Sequence, residues 1–269
     1  MELASWRLLA RTIKHADVVV EVLDIRDPMS THSRKLESMV RAFGKRMMLV
    51  LNKSDLVPRR VAEKWQSIYE SLGYTVVYTS ARARLGTRIL RAAIKRAAGE
   101  KPFTVAIVGY PKTGKSSIIN ALRGRHGAST SPVPGSPGYT RHVQLYKVEP
   151  GFYLIDTPGV IPVEGGWLES VIRGRSPEEL VDPVPPALAL LERALKYNPR
   201  SVLDAYGITS KNPVEILEEM AKRRGWFYRS TGEPLIEEAA RTVIRDYHKA
   251  KLLFYVPPEE YLKAKQRSG

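Results

Sequence analysis

The stretch GYPKTGKSS, Gly109 to Ser117, decides how the rest of the chain is read. It follows the β-branched run Thr104–Val108 and opens a helical pattern from Lys115 to about Arg123. G-x-x-x-x-G-K-[ST] between a strand and a helix is the pattern of a phosphate-gripping loop. The glycines let backbone N–H groups turn inward, and the helix start adds positive potential. The spacing sets Gly109, Pro111, Lys112, Thr113, Gly114, Lys115, Ser116 and Ser117 around a nucleotide's phosphates. Lys115 reaches the β- and γ-phosphates, and the Ser116 hydroxyl is placed to hold Mg²⁺.

Working outward, short apolar runs alternate with amphipathic stretches. The runs are Val18–Leu23, Met47–Leu51, Thr75–Tyr78, Thr104–Val108, Val143–Val148 and Phe152–Ile155. Helical patterns cover about 33–43, 58–72 and 86–98, and an amphipathic helix opens the chain. Strands alternating with helices predict an α/β fold, a doubly wound, mostly parallel sheet of six strands. Only Glu149, Pro150 and Gly151 separate the last two runs, so one edge strand is predicted to be antiparallel. The expected division is a nucleotide-binding domain over 1–162, a proline-rich connector over 163–186 and a small all-α domain over 187–269. In that last part Asn212 is a helix cap with Pro213 at the first helical position and Glu215 in capping-box register. A second helix opens at Pro234.

Three further motifs end strands and therefore fall at the same rim. In Asn52-Lys-Ser-Asp55, the Asp55 carboxylate can accept from guanine N1–H and N2–H₂ together, with Asn52 beside it and the Lys53 stem over the base. Adenine offers an acceptor at N1 and no amino group at C2. A buried Asp55 would then reject adenine by roughly 10⁴-fold. Thr79-Ser80-Ala81 ends the next strand, where Ser80 and Ala81 can offer a backbone N–H to guanine O6. Asp156-Thr-Pro-Gly159 follows Phe152–Ile155, with Asp156 facing Mg²⁺ through water and the Gly159 N–H sensing a γ-phosphate. Thr140 lies between the two phosphate elements and can complete the metal shell.

The order is unusual: the base-reading motif precedes the phosphate loop. A doubly wound sheet does not depend on the order in which the chain visits its strands, so a circular permutation keeps all motifs at the carboxyl rim. The cut falls after Gly159, and the helical domain anchors the new end. Contacts of Thr140 and Gly159 with a γ-phosphate are thereby expected to move the connector and the domain behind it.

The 269 residues carry a net charge of +15. Lys and Arg outnumber Asp and Glu by 26 to 12 in residues 1–160 and by 17 to 16 thereafter. A basic excess of this size points to a polyanionic partner. Arg84, Arg88, Arg91 and Lys95 recur at helical spacing, as do Arg241, Arg245 and Lys249 near Lys222, Arg223 and Arg224. Trp226, Phe227 and Tyr228 beside that second stripe are read as docking onto the nucleotide-binding domain, with stacking on unpaired bases as the alternative. With no cysteine, disulfides, thiolate metal sites and cysteine nucleophiles are excluded. No apolar run approaches the roughly 18 residues of a membrane span. A cytoplasmic monomer without membrane attachment is expected.

Together and in this order the motifs resemble the circularly permuted GTPases of the YlqF/YawG group, large-ribosomal-subunit assembly factors. VVVEVLDIRDPMSTHS is similar to that group's opening strand and loop. The segment from Arg223 to Pro258 is similar to the C-terminal region of its archaeal and eukaryotic nucleolar members. The resemblance implies GTP and GDP as ligands, Mg²⁺ as cofactor, ribosomal RNA as partner and stimulation by the ribosomal subunit. Val160 stands where many GTPases orient water with glutamine, so the catalytic group is unknown and slow intrinsic turnover is expected. Lys112 stands where potassium-activated relatives carry asparagine, which makes a monovalent cation requirement doubtful. His15, beside a strand, is read as structural, His32 and His142 fall on loops near the nucleotide rim, and no catalytic role is assigned to these or to His126 or His248. Two other readings stay open: a GTPase that regulates proteins without touching RNA, and a P-loop small-molecule kinase.

Overall fold

In a computed structural model, residues 2–100, 102–124, 145–155, 161–163 and 166–268 are described. Thr140, Asp156, Gly159, Val160, His126 and His142 lie outside them. The chain divides into two compact units, Met1–Glu164 and Gly165–Gly269.

The first unit runs α1 (Glu2–His15), β1 (Val18–Asp24), α2 (Pro28–Thr31), α3 (Arg34–Ala42), β2 (Arg46–Asn52), α4 (Arg59–Ser71), β3 (Thr75–Thr79), α5 (Thr87–Ala98), β4 (Phe103–Val108), α6 (Lys115–Arg123), β5 (Leu145–Glu149) and β6 (Phe152–Ile155). Its six strands are ordered β3-β2-β1-β4-β6-β5, parallel except for β5, which runs antiparallel to β6. The predicted doubly wound sheet is borne out, and so is its antiparallel edge.

Residues alternate across the strands. Val18, Val20 and Val22 pack with Leu90 and Ile94 of α5 and Ile118 and Leu122 of α6. Val19 packs on the other face with Ile13 of α1 and Leu36 and Val40 of α3. Every residue of β1 is buried, as a parallel strand covered on both faces requires. From β1 the sheet extends to β2 on one side and to β4 on the other. The rim between β1 and β4 is therefore the topological switch point, where an open α/β sheet holds its ligand.

The second unit holds α7 (Trp167–Gly174), α8 (Val184–Tyr197), α9 (Ser201–Tyr206), α10 (Pro213–Arg223), α11 (Ile236–His248) and α12 (Pro258–Ser268). Its core gathers Leu190 and Leu191 of α8, Ile216 and Met220 of α10, and Val243, Ile244 and Tyr247 of α11. The stretch expected as a connector is more ordered than its prolines suggested. Residues 167–174 are helical, and Ile172 and Leu180 enter this core. Pro185 and Pro186 fall in the first turn of α8, where backbone N–H groups have no intrahelical acceptor, so they start a helix rather than break one.

Two local expectations are corrected. Asn212 does cap α10 by accepting from the Val214 N–H, but Glu215 bonds Ser210 Oγ at 2.7 Å instead of closing a capping box. The Asn212 N–H goes to Ser210 Oγ at 3.1 Å. Pro234 does not open α11: it pairs with Phe227 in an isolated bridge, and the helix begins at Ile236.

Candidate functional site

Parallel register aligns Asp24 with Asn52 and Asn52 with Thr79, so β1, β2 and β3 end side by side. The phosphate loop leaves β4 next to them. At Gly109 φ is +145°, and a Cβ would stand 2.6 Å from the Val22 carbonyl oxygen. The loop thus lies directly on the β1 backbone, an approach only glycine allows. At Gly114 φ is +100°, and a Cβ would come 2.2 Å from Asn52 Nδ2. The second motif glycine therefore makes room for the Asn52 side chain.

Asn52 is 2 % exposed, and its amide is used at both ends. Nδ2 donates to the Thr113 carbonyl at 2.9 Å, and Oδ1 accepts from the Ala81 N–H at 3.2 Å. Its own carbonyl accepts from the Ile25 N–H at 3.0 Å. One side chain ties the end of β2 to the phosphate loop and to the turn after β3. Asn52 was expected to handle the base with Asp55, and Ala81 to offer its N–H to it; here the two bond each other. Ser80 is spent on its own turn, its Oγ accepting from the Ala83 N–H at 3.0 Å.

Lys53 has left-handed backbone, φ +67°. Its ammonium donates to Asp24 Oδ2 at 2.7 Å and to the Lys112 carbonyl at 2.7 Å. Lys112 is itself left-handed, φ +64°, which turns that carbonyl toward Lys53. Asp24, fully buried, also accepts from Arg26 Nε at 3.0 Å and Nη2 at 2.8 Å. Asp24 and Arg26 were given no role by the sequence reading. The available signal was an Asp closing a strand whose one other charged residue is Glu21, followed by Arg two residues on.

Lys115 lies over the loop, its ammonium 2.7 Å from the Tyr110 carbonyl, which also accepts from Thr113 Oγ1 at 2.9 Å. Pro111 is half-buried; Ser116 and Ser117, on the first turn of α6, are exposed. Asp55 sits in a short 3₁₀ turn, Ser54–Leu56, and is exposed rather than buried. The burial that rejection of adenine would require is thus not supplied by the protein at this position. A cavity of about 530 Å³ opens between the turn at Ala81–Arg84 and Ser117 and Asn120 of α6.

On the other face of β1, buried Glu21 holds His32 Nδ1 at 2.7 Å and the Ser33 N–H at 2.8 Å. Burial works against the His32 imidazolium, but the hydrogen bond and charge of Glu21 outweigh it and hold its pKa above the ordinary histidine value. His32 is thus locked into the fold of the loop before α3.

The two basic stripes are consumed internally at about half of their positions. Lys95 pairs with Glu149 at 2.7 Å, and Arg91 reaches Glu149 at 3.6 Å and the Leu122 carbonyl. Arg245 pairs with Glu178 at 2.6 Å, Arg241 donates to the Leu180 carbonyl at 3.2 Å, and Arg223 donates to the Tyr206 and Gly207 carbonyls. Lys222, Arg224 and Lys249 remain at the surface. Trp226 packs on the helical unit's own core with the Arg224 guanidinium 5.3 Å from its ring, while Phe227 and Tyr228 are exposed.

Among the described residues, no helix is long and apolar enough to cross a membrane. The model of the RsgA GTPase family matches residues 8–164. A GTP-binding protein of Methanocaldococcus jannaschii is 37 % identical over 93 % of this chain and 66 % of its own length. Nucleolar GTP-binding protein 2 of Yarrowia lipolytica is 32 % identical over 95 % of this chain and 51 % of its own. The chain thus spans from about half to 66 % of these relatives. The crystal structure of GNP-bound YlqF from T. maritima superposes with a TM-score of 0.69, covering 95 % of this chain and 99 % of that one at 24 % identity, a likeness of fold. YlqF has the circularly permuted GTPase fold, and the glycine-rich loop, the Asn52–Asp55 turn and the brace between them all lie within the matched span: the chain belongs to the RsgA GTPase family.

Proposed function

We propose that the chain is a guanine-nucleotide switch that hydrolyses GTP to GDP and phosphate and acts in assembly of the large ribosomal subunit through its RNA. The observation that carries the nucleotide reading is the Asn52 brace. It holds the turn bearing Asp55 and the loop bearing Lys115 to one another, so both ends of a single nucleotide are met at one rim. A kinase would have no use for a base-reading turn fastened to its phosphate loop.

In this reading Lys115 binds the β- and γ-phosphates, the inward N–H groups of 109–114 cradle them, and Asp55 selects guanine. The donor set suits Mg²⁺. Among the described residues no cluster of His, Cys, Asp or Glu forms a cage of its own, while the Ser116 hydroxyl is free at the surface beside the phosphate loop. Mg²⁺ takes few protein oxygens and completes its shell with phosphate and water. When bound it neutralises phosphate charge. Thr140, Asp156 and Gly159 would complete the γ-phosphate side. With a lysine ammonium already on the Lys112 carbonyl, K⁺ in place of Na⁺ should raise turnover less than tenfold.

The ribosomal reading is supported by the nucleolar name of a relative and by the exposed Lys222, Arg224 and Lys249. Calorimetry with GDP, GTP, ADP and ATP tests the first part, and equal or better adenine binding would overturn it. Co-sedimentation with purified large subunits under GTP analogue and GDP, at two salt concentrations, tests the second. Contacts to RNA phosphates predict binding that weakens steeply with salt. No co-sedimentation in either nucleotide state would leave a protein-directed GTPase instead.

A further inference from the structure

The turn after β3 and the first turn of α5 carry two aliphatic side chains that the fold leaves in water. Leu85 is 56 % exposed and Ile89 is 62 % exposed. Arg82, Arg84 and Arg88 are exposed among them, and none of the three has an ion-pair partner among the described residues. The contrast within α5 is sharp, since Arg91 and Lys95 further along are turned to Glu149. The stripe that looks continuous in sequence is two features, a structural clamp at one end and an uncommitted basic and apolar patch at the other.

The patch is rigid. Ser80 and Leu85 exchange backbone hydrogen bonds, both 3.0 Å, and Thr79 Oγ1 donates to the Leu85 carbonyl at 2.5 Å. Gly86, φ +72°, packs so close to β3 that a Cβ would lie 2.8 Å from the Tyr78 carbonyl oxygen. A surface already held in one shape loses little entropy when a partner covers it. The same turn contains Ala81, whose N–H holds Asn52, so a partner on Leu85 lies one short loop from the nucleotide brace.

We infer that Leu85 and Ile89, ringed by Arg82, Arg84 and Arg88, form the docking surface for a protein with an acidic rim around an apolar socket. The inference rests on the ribosomal reading above and deepens it: the partner is a protein component of the large subunit. Three observations choose this occupant. Aliphatic side chains gain by entering an apolar socket, and the patch offers no aromatic ring on which an unpaired RNA base could stack. Arg82, Arg84 and Arg88, without ion-pair partners among the described residues, are matched by carboxylates set around such a socket, whereas RNA phosphates would leave the aliphatic pair in water. A second copy of the chain, related by a two-fold axis, would set those arginines against themselves.

Photo-crosslinking tests it. Full-length protein carrying benzoylphenylalanine at Leu85, at Ile89 or, as control, at Leu72 on the far end of α4 is bound to purified large subunits with a GTP analogue. Sedimentation and crosslinked products are then read separately. The expected result is protein crosslinks from 85 and 89, mapping beside Asp or Glu residues, and none from 72. Sedimentation intact with crosslinks only to RNA, or with none, overturns the docking surface and leaves the ribosomal reading standing. Loss of sedimentation in all three, as in unlabelled protein, overturns the ribosomal reading and this surface with it. The L85S/I89S double variant should bind subunits at least tenfold more weakly with its GDP affinity unchanged. Unchanged subunit binding overturns the inference.

Discussion

The Lys53 ammonium stands 2.7 Å from Asp24 Oδ2, joining the Asn52–Asp55 turn to the end of the central strand. The same carboxylate holds Arg26 at 2.8 Å, so one buried anion serves two cations, and Lys53 in turn holds the phosphate loop at Lys112. Lys53 is therefore a structural hub of this rim.

Asp24→Asn should loosen that hub. Removing one member of a buried ion pair typically costs about 3–5 kcal/mol. Denaturant unfolding should show a loss near the lower figure, because the amide keeps part of the hydrogen bonding. GDP affinity by calorimetry should fall roughly tenfold, since one charge-assisted hydrogen bond contributes on the order of 1.5–3 kcal/mol. An unchanged affinity would mean that Lys53 does not need Asp24 to stay in place.

Asn52→Ala should uncouple the two ends of the site. It leaves the Thr113 carbonyl and the Ala81 N–H without the Asn52 amide, at about 1–3 kcal/mol for each buried group left unsatisfied. The melting temperature of the apo protein should drop, and the rise produced by saturating GDP should shrink. If the GDP-induced rise matches wild type, the brace is not what assembles the site.

Asp55→Asn should exchange base preference without touching the fold, because Asp55 is exposed. An amide can accept from one guanine donor but sets its own N–H₂ against the other. Against xanthine, whose C2 carries a carbonyl, the same N–H₂ is matched. Competition binding should show guanine nucleotide affinity lowered by roughly 10²-fold or more and xanthine nucleotide affinity raised, in line with the cost of facing polar groups wrongly.

His32 should titrate above the ordinary histidine value in NMR of the ring protons. A group whose folded pKa is raised adds stability that is complete below its unfolded pKa, near 6.5, and lost as pH climbs through the folded value. Tyr74, its pKa pushed up to about 12 by burial and by its hydrogen bond to Glu37, stays protonated through that window. Stability of the first unit should therefore decline from pH 6.5 upward, and His32→Gln should flatten the decline. An equally steep decline in the variant would assign it to another group.

Much of this molecule is legible in its sequence because its signals are local. The phosphate loop announces itself through two glycines, and the structure adds a second reason for each: Gly109 lies on Val22, and Gly114 lies on Asn52. The strands are recognisable because buried parallel strands are apolar on both faces, and all six appear within a few residues of their expected limits. The reversed order of motifs is itself readable, since a strand end marks the carboxyl rim wherever it falls in the chain.

What the sequence could not supply is the destination of each polar side chain. Asn52 reads as a base contact from its motif, yet its amide is spent on Thr113 and Ala81, residues 61 and 29 positions away. Asp24 and Glu21 look like interruptions of a strand, but register and alternation send one to Lys53 and the other to His32. Arg91 and Arg88 are indistinguishable by helical spacing, and only the position of Glu149 on β5 commits the first and leaves the second at the surface. Residue type and periodicity set which element forms and which face it buries, because those depend on neighbours along the chain. A charge or amide is satisfied by whatever the folded sheet brings within hydrogen-bond reach, and that is decided only when β1, β2 and β4 lie side by side.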